Sequence, residues 1–311
     1  ASSYYGMEQP ASEDSAAYRL AYRDGYLDRG SGECLISTRM HFNDEGWWDQ
    51  GIARGSTFPW FPGPSPTHNY AQMFPDKNGV PISKSSLYDS DHPYRNKDPR
   101  FYETMFSSIS MWNQYRKIEL WEGGKEGPNK TVSRAGYLQF KFVLRGKKIA
   151  DIPQHWPHIR VPEVYLAYAE ALTEINNGPT AEAYEYVNKV RHRVGLQDIQ
   201  DVMDNPGDKQ AFIDAILRER VLEFGFEHVR WFDITRRKRK DILQKDLFGV
   251  RVIKESDGSL SYNEFLFWDK YPTAKRDWID NWSPKWYIFP FPNDEINKEY
   301  GLVQNPGWKS T

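Results

Sequence analysis

Residues 223–240, EFGFEHVRWFDITRRKRK, bring carboxylates, aromatic rings and a basic run together. Three kinds of chemistry are open to such a stretch. Glu223, Glu227 and Asp233 could act as general acid and base. The run RRKRK at 236–240 could grip nucleic acid or another polyanion. The charges could instead pair with one another inside the fold. On a helical wheel at about 100° per residue, Phe212, Ile213, Ile216, Leu217 and Phe224 share one apolar face. Arg220, Glu223, Glu227 and Trp231 fall on that same face. The stripe Arg220, Glu223, Glu227, Arg230 advances by 3, 4 and 3 residues, so neighbours along it can touch. Charges that point inward must be paired. The expectation is therefore a structural ion cluster of Arg220, Glu223, Glu227, Arg230 and Asp233. Arginine neighbours lower a carboxylate's pKa, which works against a general acid. The basic run at a helix end meets the negative pole of that helix. With 41 Lys and Arg against 43 Asp and Glu, the net charge of −2 gives no general attraction to a polyanion.

Several elements must hold such a helix. Residues 12–28 read as a helix with Ser12 as N-cap, followed by a strand in GECLISTRMHF that buries Cys34. Residues 161–176 read as a helix with Val161, Val164, Tyr165, Tyr168, Leu172 and Ile175 on the inner face and Glu163, Glu170 and Glu174 outside. After the turn NGPT, residues 181–194 form a second helix with Val187, Val190 and Val194 inward, and Gly195 stops it. The pair has the dimensions of a tetratricopeptide-type hairpin without that repeat's exact signature. Asp208 caps a third helix running to about Phe232. Residues 70–100 pass through two turns, and 101–150 read as strands and loops with LQFKFVL as the clearest alternation. The tail from 284, rich in Pro and aromatics, wraps over the surface. The single cysteine excludes an intrachain disulfide, and no apolar run is long enough for a transmembrane helix.

Aromatic residues make up 15% of the chain, with 12 Trp, more than a core of this size needs. The surplus points to ring faces in loops, and flat rings with polar neighbours suit the apolar face of a pyranose and its hydroxyls. Residues 43–69 form the richest such loop. Trp47, Trp48, Trp60 and Phe61 supply rings there, and Asn43, Asp44, Asp49, Gln50 and Arg54 supply polar groups. A second cluster, MWNQYRKIELW, adds Trp112, Tyr115, Arg116 and Trp121. FNDEGWWDQ carries carboxylates but lacks the spacing of a Ca²⁺ loop, so no metal or cofactor is expected.

The series IRVPEVYLAYAEAL, YVNKVRHRVGL, ILRERVLEFGFEHVRWFDITRRK and YIFPFPNDEI…QNPGW resembles the SusD/RagB family of Bacteroidetes surface glycan-binding lipoproteins. YAQMFPDKNGVPI and NKDPRFYETMF upstream follow the same order, so the likeness runs over residues 12–308. It implies a mainly α, SusD-like fold with tetratricopeptide-like hairpins, few short strands and a loop-rich ligand face. It also implies a non-catalytic glycan binder that caps a TonB-dependent, SusC-like transporter at the outer-membrane surface. In family terms Arg220, Glu223, Glu227, Arg230, Trp231 and Asp233 belong to a scaffold helix. The chain begins in mid-family, and Cys34 does not fit a lipidation site. The expectation is one SusD-like domain over 1–311 that is the C-terminal portion of a longer, lipid-anchored protein. Within it, 12–42 is helix and strand, 43–160 the ligand face, 161–240 the helical scaffold and 241–311 the wrap. A helical-repeat protein scaffold and a glycoside hydrolase are the alternative functions. Trp48→Ala or Trp60→Ala should weaken glycan binding, read by titration calorimetry, with the melting temperature nearly unchanged; unchanged affinity in both removes the loop from the site.

Overall fold

The computed structural model describes residues 5–39, 65–113, 116–128, 133–142 and 155–309. Its first helix, α1 (Ser15–Leu27), starts where Asp14 accepts from the amides of Ala16 and Ala17 at 2.8 and 3.0 Å. Ser12, the expected cap, donates its hydroxyl to Asp14 instead. A carboxylate is the stronger acceptor for the free amides of a first turn. Among the described residues the strands form four antiparallel pairs. These are β1 (Cys34–Arg39) with β6 (His155–Arg160), β2 (Met105–Phe106) with β5 (Leu138–Gln139), β3 (Met111–Asn113) with β4 (Arg116–Lys117), and β7 (Phe248–Lys254) with β8 (Leu260–Leu266). Cys34 is half-buried at the start of β1 rather than enclosed. LQFKFVL does not continue as a strand past Gln139, because Lys141 turns inward to Glu227 and Phe142 takes φ +69°.

Helices carry the scaffold. The short α2 (His68–Met73) is capped by Thr67. α3 (Val161–Ile175) opens with Pro162, where a missing amide costs nothing. Five residues then lead to α4 (Ala181–His192), capped by the Thr180 hydroxyl on the Ala183 amide at 3.1 Å. α3 buries Leu166 and Ala169 against Ala183, Val187 and Val190 of α4 and against Phe212 and Ile216 of α5 (Lys209–Glu223). Val187, Val190 and Val194 point inward as the pattern predicts, and Gly195 ends the segment at φ +74°. The inner face of α3 follows the wheel in part: Val161 is buried, and Tyr165 and Leu172 pack on the core. Val164, Tyr168 and Ile175 are 47, 40 and 81% exposed, and the buried side is Leu166, Ala169, Glu170 and Thr173. Small Ala169 lets the helices approach, while Glu170 is drawn in by the guanidinium groups of Arg236 and Arg237. Glu163 and Glu174 pair with Arg220 and Arg237 without being buried, and Glu174 stays exposed as expected.

The third helix ends earlier than its periodicity predicts. Asp208 caps α5 on the Ala211 amide at 2.8 Å, as expected. The helix then stops at Glu223, and the chain bends through Gly225 and through Phe226 and His228, both at φ +63°, before α6 (Arg230–Arg236). The cause is a close approach. A Cβ on Gly225 would lie 1.9 Å from the Tyr70 hydroxyl, which donates to the Val221 carbonyl at 3.1 Å. Glu223 and Glu227 therefore sit on separate segments, and the stripe is not continuous.

The ion cluster exists but is built across the chain. Glu223 accepts from Arg193 at the end of α4, from Arg160 at the end of β6 (3.0 Å), and from Arg100 (3.3 Å). Glu227 accepts from Arg160 at 2.8 and 2.9 Å and from Lys141. Glu33 bridges Arg160 and Arg193, Glu219 holds Arg100 and Arg191, and Asp98 holds Arg100. All these groups are buried. The carboxylates Glu33, Asp98, Glu219, Glu223 and Glu227 thus meet an equal number of cations, and the network is neutral as burial demands. Arg220 pairs with Asp233 at 2.8 Å and with Glu163 at 3.0 Å. Arg230, expected in the cluster, has no hydrogen-bond or ion-pair partner among the described residues, because the bend before α6 turns it off the α5 stripe.

Burial alone pushes the Glu223 carboxyl up, but Arg193, Arg160 and Arg100 together outweigh it and hold its pKa far below the ordinary 4.5. A depressed folded pKa means that its stabilisation is complete above pH 4.5 and is lost as pH falls below that value. Urea unfolding should show this loss between neutral and acid pH. Glu223→Ala, which strands buried guanidinium groups, should cost about 3–5 kcal/mol by the same measurement.

Candidate functional site

Trp112 and Trp121, expected to face ligand together, pack into different clusters. Trp112 lies against Phe106, with ring centroids 5.9 Å apart, beside Ile118, Leu120 and Phe140. Trp121 packs on the cluster of Phe74, Phe101 and Val252, with the Lys254 ammonium 5.0 Å from its ring centroid. Arg116 lies over Trp112 and pairs with Glu126. Both indoles are partly buried and pack against their clusters, and Arg116 is held by Glu126. Asn43, Asp44, Trp47, Trp48, Asp49, Gln50, Arg54, Trp60, Phe61 and Tyr115 lie outside the described residues.

Glu223, Glu227 and Asp233 are buried and paired; Glu227 and Asp233 border a cleft, but Arg160, Lys141, Arg220 and Arg236 hold their oxygens. Burial raises the Glu227 carboxyl, but Arg160 and Lys141 bring it below its ordinary value. The basic run is also largely committed. Arg236 and Arg237 grip Glu170, and Arg239 grips Asp214 and Asp241. No group of three or more His, Cys, Asp or Glu among the described residues could hold a metal ion. No helix among them is long and apolar enough to cross a membrane.

Two open clefts flank the 224–236 segment. One, of ≈ 910 Å³, lies beside Trp156, His228, Tyr168 and Phe232. Its charged groups Arg220, Glu163, Asp233 and Arg236 are bound to one another, which leaves few polar atoms for a ligand. The other, of ≈ 740 Å³, lies where α2, α5 and α6 meet the one-turn helices Lys240–Leu243, Phe267–Lys270 and Asp277–Asp280. Tyr70, Phe226, Trp268 and Trp278 supply its rings, and Arg218 and Arg230 its unpaired charge. Tyr70 and Phe226 meet edge to face at 6.1 Å, fixing one wall. Trp268 donates to Asp246 at 3.3 Å, which orients its indole. Trp278 stands beside Trp231 and Trp286, at 6.1 and 5.6 Å between centroids. Burial lowers the pKa of Arg218 and of Arg230. Arg218 donates both Nε and one terminal nitrogen to the Met73 carbonyl. An apolar cleft with a few convergent polar groups is the usual form of a small-molecule site.

Sequence reasoning did not reach this cleft, because its residues come from 67–73, 214–247 and 268–279. One signal was present: half of the Trp residues fall between 231 and 308. The tail is only partly wrapped. Trp286 stacks edge-on to Trp308 at 5.1 Å, whereas Phe289, Phe291, Tyr300 and Val303 are exposed.

The SusD family model matches residues 61–308, about four-fifths of the chain. The chain belongs to the SusD family. This SusD-family chain is 30% identical over 169 residues to SusD-like protein P2 of Formosa agariphila, covering 53% of this chain and 28% of that protein. It is 27% identical over 166 residues to a SusD-like protein of Bacteroides ovatus, covering 48% and 27%. A SusD-like protein from Bacteroides fragilis superposes with a TM-score of 0.76 at 23% identity, over 98% of this chain and 59% of that one. A SusD-like carbohydrate binding protein from the same species superposes with a TM-score of 0.63 at 18% identity, over 92% and 60%. The solved structures share the fold, which among the described residues of this chain is mainly helical with two-stranded sheets. The SusD-family chain spans under a third of the curated relatives' length and about three-fifths of the solved ones.

If Trp112 is a packing group, Trp112→Ala should lower stability by about 2–3 kcal/mol, somewhat less than the loss for a fully enclosed Trp. Glycan affinity at saturating folded protein should not change. Chemical denaturation and calorimetry on one sample separate the two effects.

Proposed function

We propose that this chain binds oligosaccharide or polysaccharide without cleaving it, at the cell surface, for delivery to a TonB-dependent outer-membrane transporter. The carrying observation is the cleft beside α6, where indole and phenol rings converge with unpaired guanidinium groups in a SusD-family fold. Ring faces cover the apolar side of a sugar, and charged donors reach its polar substituents. The name of the carbohydrate binding neighbour supports the same reading. The buried, arginine-held state of Glu223 and Glu227 supports a binder over a hydrolase, since glycoside cleavage needs an accessible carboxyl pair with one raised pKa. The 43–61 stretch remains the second proposed ligand contact, on its composition of Trp and polar residues.

A protein-interaction scaffold is the second reading. The exposure of Val164, Tyr168 and Ile175 along α3 favours it, because apolar side chains on one helix face suit a protein surface. Titration calorimetry against a panel of soluble polysaccharides separates the two. Heat of binding with at least one glycan, and no release of reducing sugar from it, is the expected result. No heat with any glycan overturns the binding reading in favour of the scaffold; reducing-sugar release overturns the non-catalytic one.

A further inference from the structure

Arg230 is the outlier of the charged interior. Arg100, Arg160, Arg191, Arg193 and Arg220 all meet carboxylates. Arg230 opens α6, is half-buried in the wall of the ≈ 740 Å³ cleft, and has no hydrogen-bond or ion-pair partner among the described residues. The neighbouring Asp233 is taken by Arg220 and Arg236. The two carboxylates in the cleft wall, Asp214 and Asp241, are both held by Arg239. Arg218 spends its donors on a carbonyl and meets no carboxylate at ion-pair distance among the described residues. Lys245 and Arg276 stand exposed in the same wall. The cleft is therefore cationic in a chain whose net charge is −2.

Asp233 and Asp241 attract Arg230 only from beyond ion-pair distance, and a half-buried guanidinium without a contacting anion has lost part of its hydration and gained no direct partner. An incoming anion restores the balance with charge-assisted, bidentate hydrogen bonds of the kind a planar guanidinium makes to carboxylate or sulfate. Trp278 and Phe226 line the same cleft, so an apolar ring and an anion-binding group stand together there. A neutral sugar would meet the rings and leave the cations unanswered, which discriminates against it.

We propose that the cleft beside α6 takes an acidic sugar, a uronate or sulfate-ester unit of a polysaccharide, with Arg230 reading its charge. This deepens the glycan-binding reading above and rests on it. Calorimetry on the whole chain would compare polygalacturonate, its carboxyl-reduced neutral form, a sulfated galactan and the unsulfated galactan. The expected result is binding to one or both acidic polymers, at least about tenfold weaker binding to the neutral counterpart, and affinity that falls as salt is raised. Which acidic polymer binds tells carboxylate from sulfate. Arg230→Gln should weaken acidic-polymer binding about tenfold with the melting temperature unchanged, since no partner is lost. Arg230→Lys should restore part of it. Arg276→Gln, on an exposed side chain, is a second variant should the first fail to fold, and should weaken binding in the same sense. Equal affinity for acidic and neutral polymers, or acidic binding unaltered in these variants, overturns the acidic-sugar assignment and leaves the glycan-binding reading standing. No binding to any of these polymers or to the wider panel overturns both.

Discussion

Glu223 stands where three distant arginines meet: Arg100, Arg160 and Arg193 all reach it, from segments separated by as much as 123 residues. A carboxylate enclosed in protein is tolerable only when its charge is answered within hydrogen-bond reach. That requirement ties the end of β6, the end of α4 and the turn at Arg100 to the last turn of α5. Glu33 and Glu227 extend the tie to β1 and to Lys141. The apolar clusters on either side, around Phe74 and Phe101 and around Leu166 and Val187, supply burial. The ion network sets how those clusters are oriented, because a hydrogen bond is directional and apolar contact is not.

The same network explains why the densest charge in the chain is not its chemistry. Arg100, Arg160 and Arg193 around Glu223, and Arg160 and Lys141 around Glu227, hold both carboxyls below the ordinary range, so each negative charge is already answered within the protein. What remains free is what the network does not reach. Gly225 and the left-handed residues Phe226 and His228 turn the chain out of α5. Arg230 is thereby carried off the interior stripe and into the wall of a cleft shared with Trp268 and Trp278. The bend that breaks the helix is thus also the device that places a cation with no contacting anion beside the cleft's rings.

Much of the scaffold was legible in the sequence. The α4 pattern of Val187, Val190 and Val194, the stop at Gly195 and the cap at Asp208 are local features, and each is where the periodicity puts it. The family resemblance was equally plain, since it rests on motifs in order along the chain. The inner face of α3 was only half legible: Val161 is buried and Tyr165 and Leu172 pack on the core as the wheel predicts, whereas Val164, Tyr168 and Ile175 are exposed and the packing takes Ala169, and Glu170 for its partners Arg236 and Arg237. Trp112 and Trp121 look alike as residues in a loop-rich region, and only their neighbours show that each packs on its own cluster.

The spacing of Arg220 and Glu223 among Phe212, Ile216 and Phe224 was enough to turn both inward. The amino-acid sequence by itself also determined the family, the helical hairpin and the surplus of aromatic rings. Only the tertiary structure decided which arginine answers which carboxylate, because the partners of Glu223 lie tens of residues away and no local spacing relates them. Only it decided that Arg230 is left over. Helical periodicity extends a stripe as long as the residue types permit, whereas the chain leaves α5 after Glu223, passes the Tyr70 hydroxyl closely at Gly225 and turns the next arginine towards the cleft.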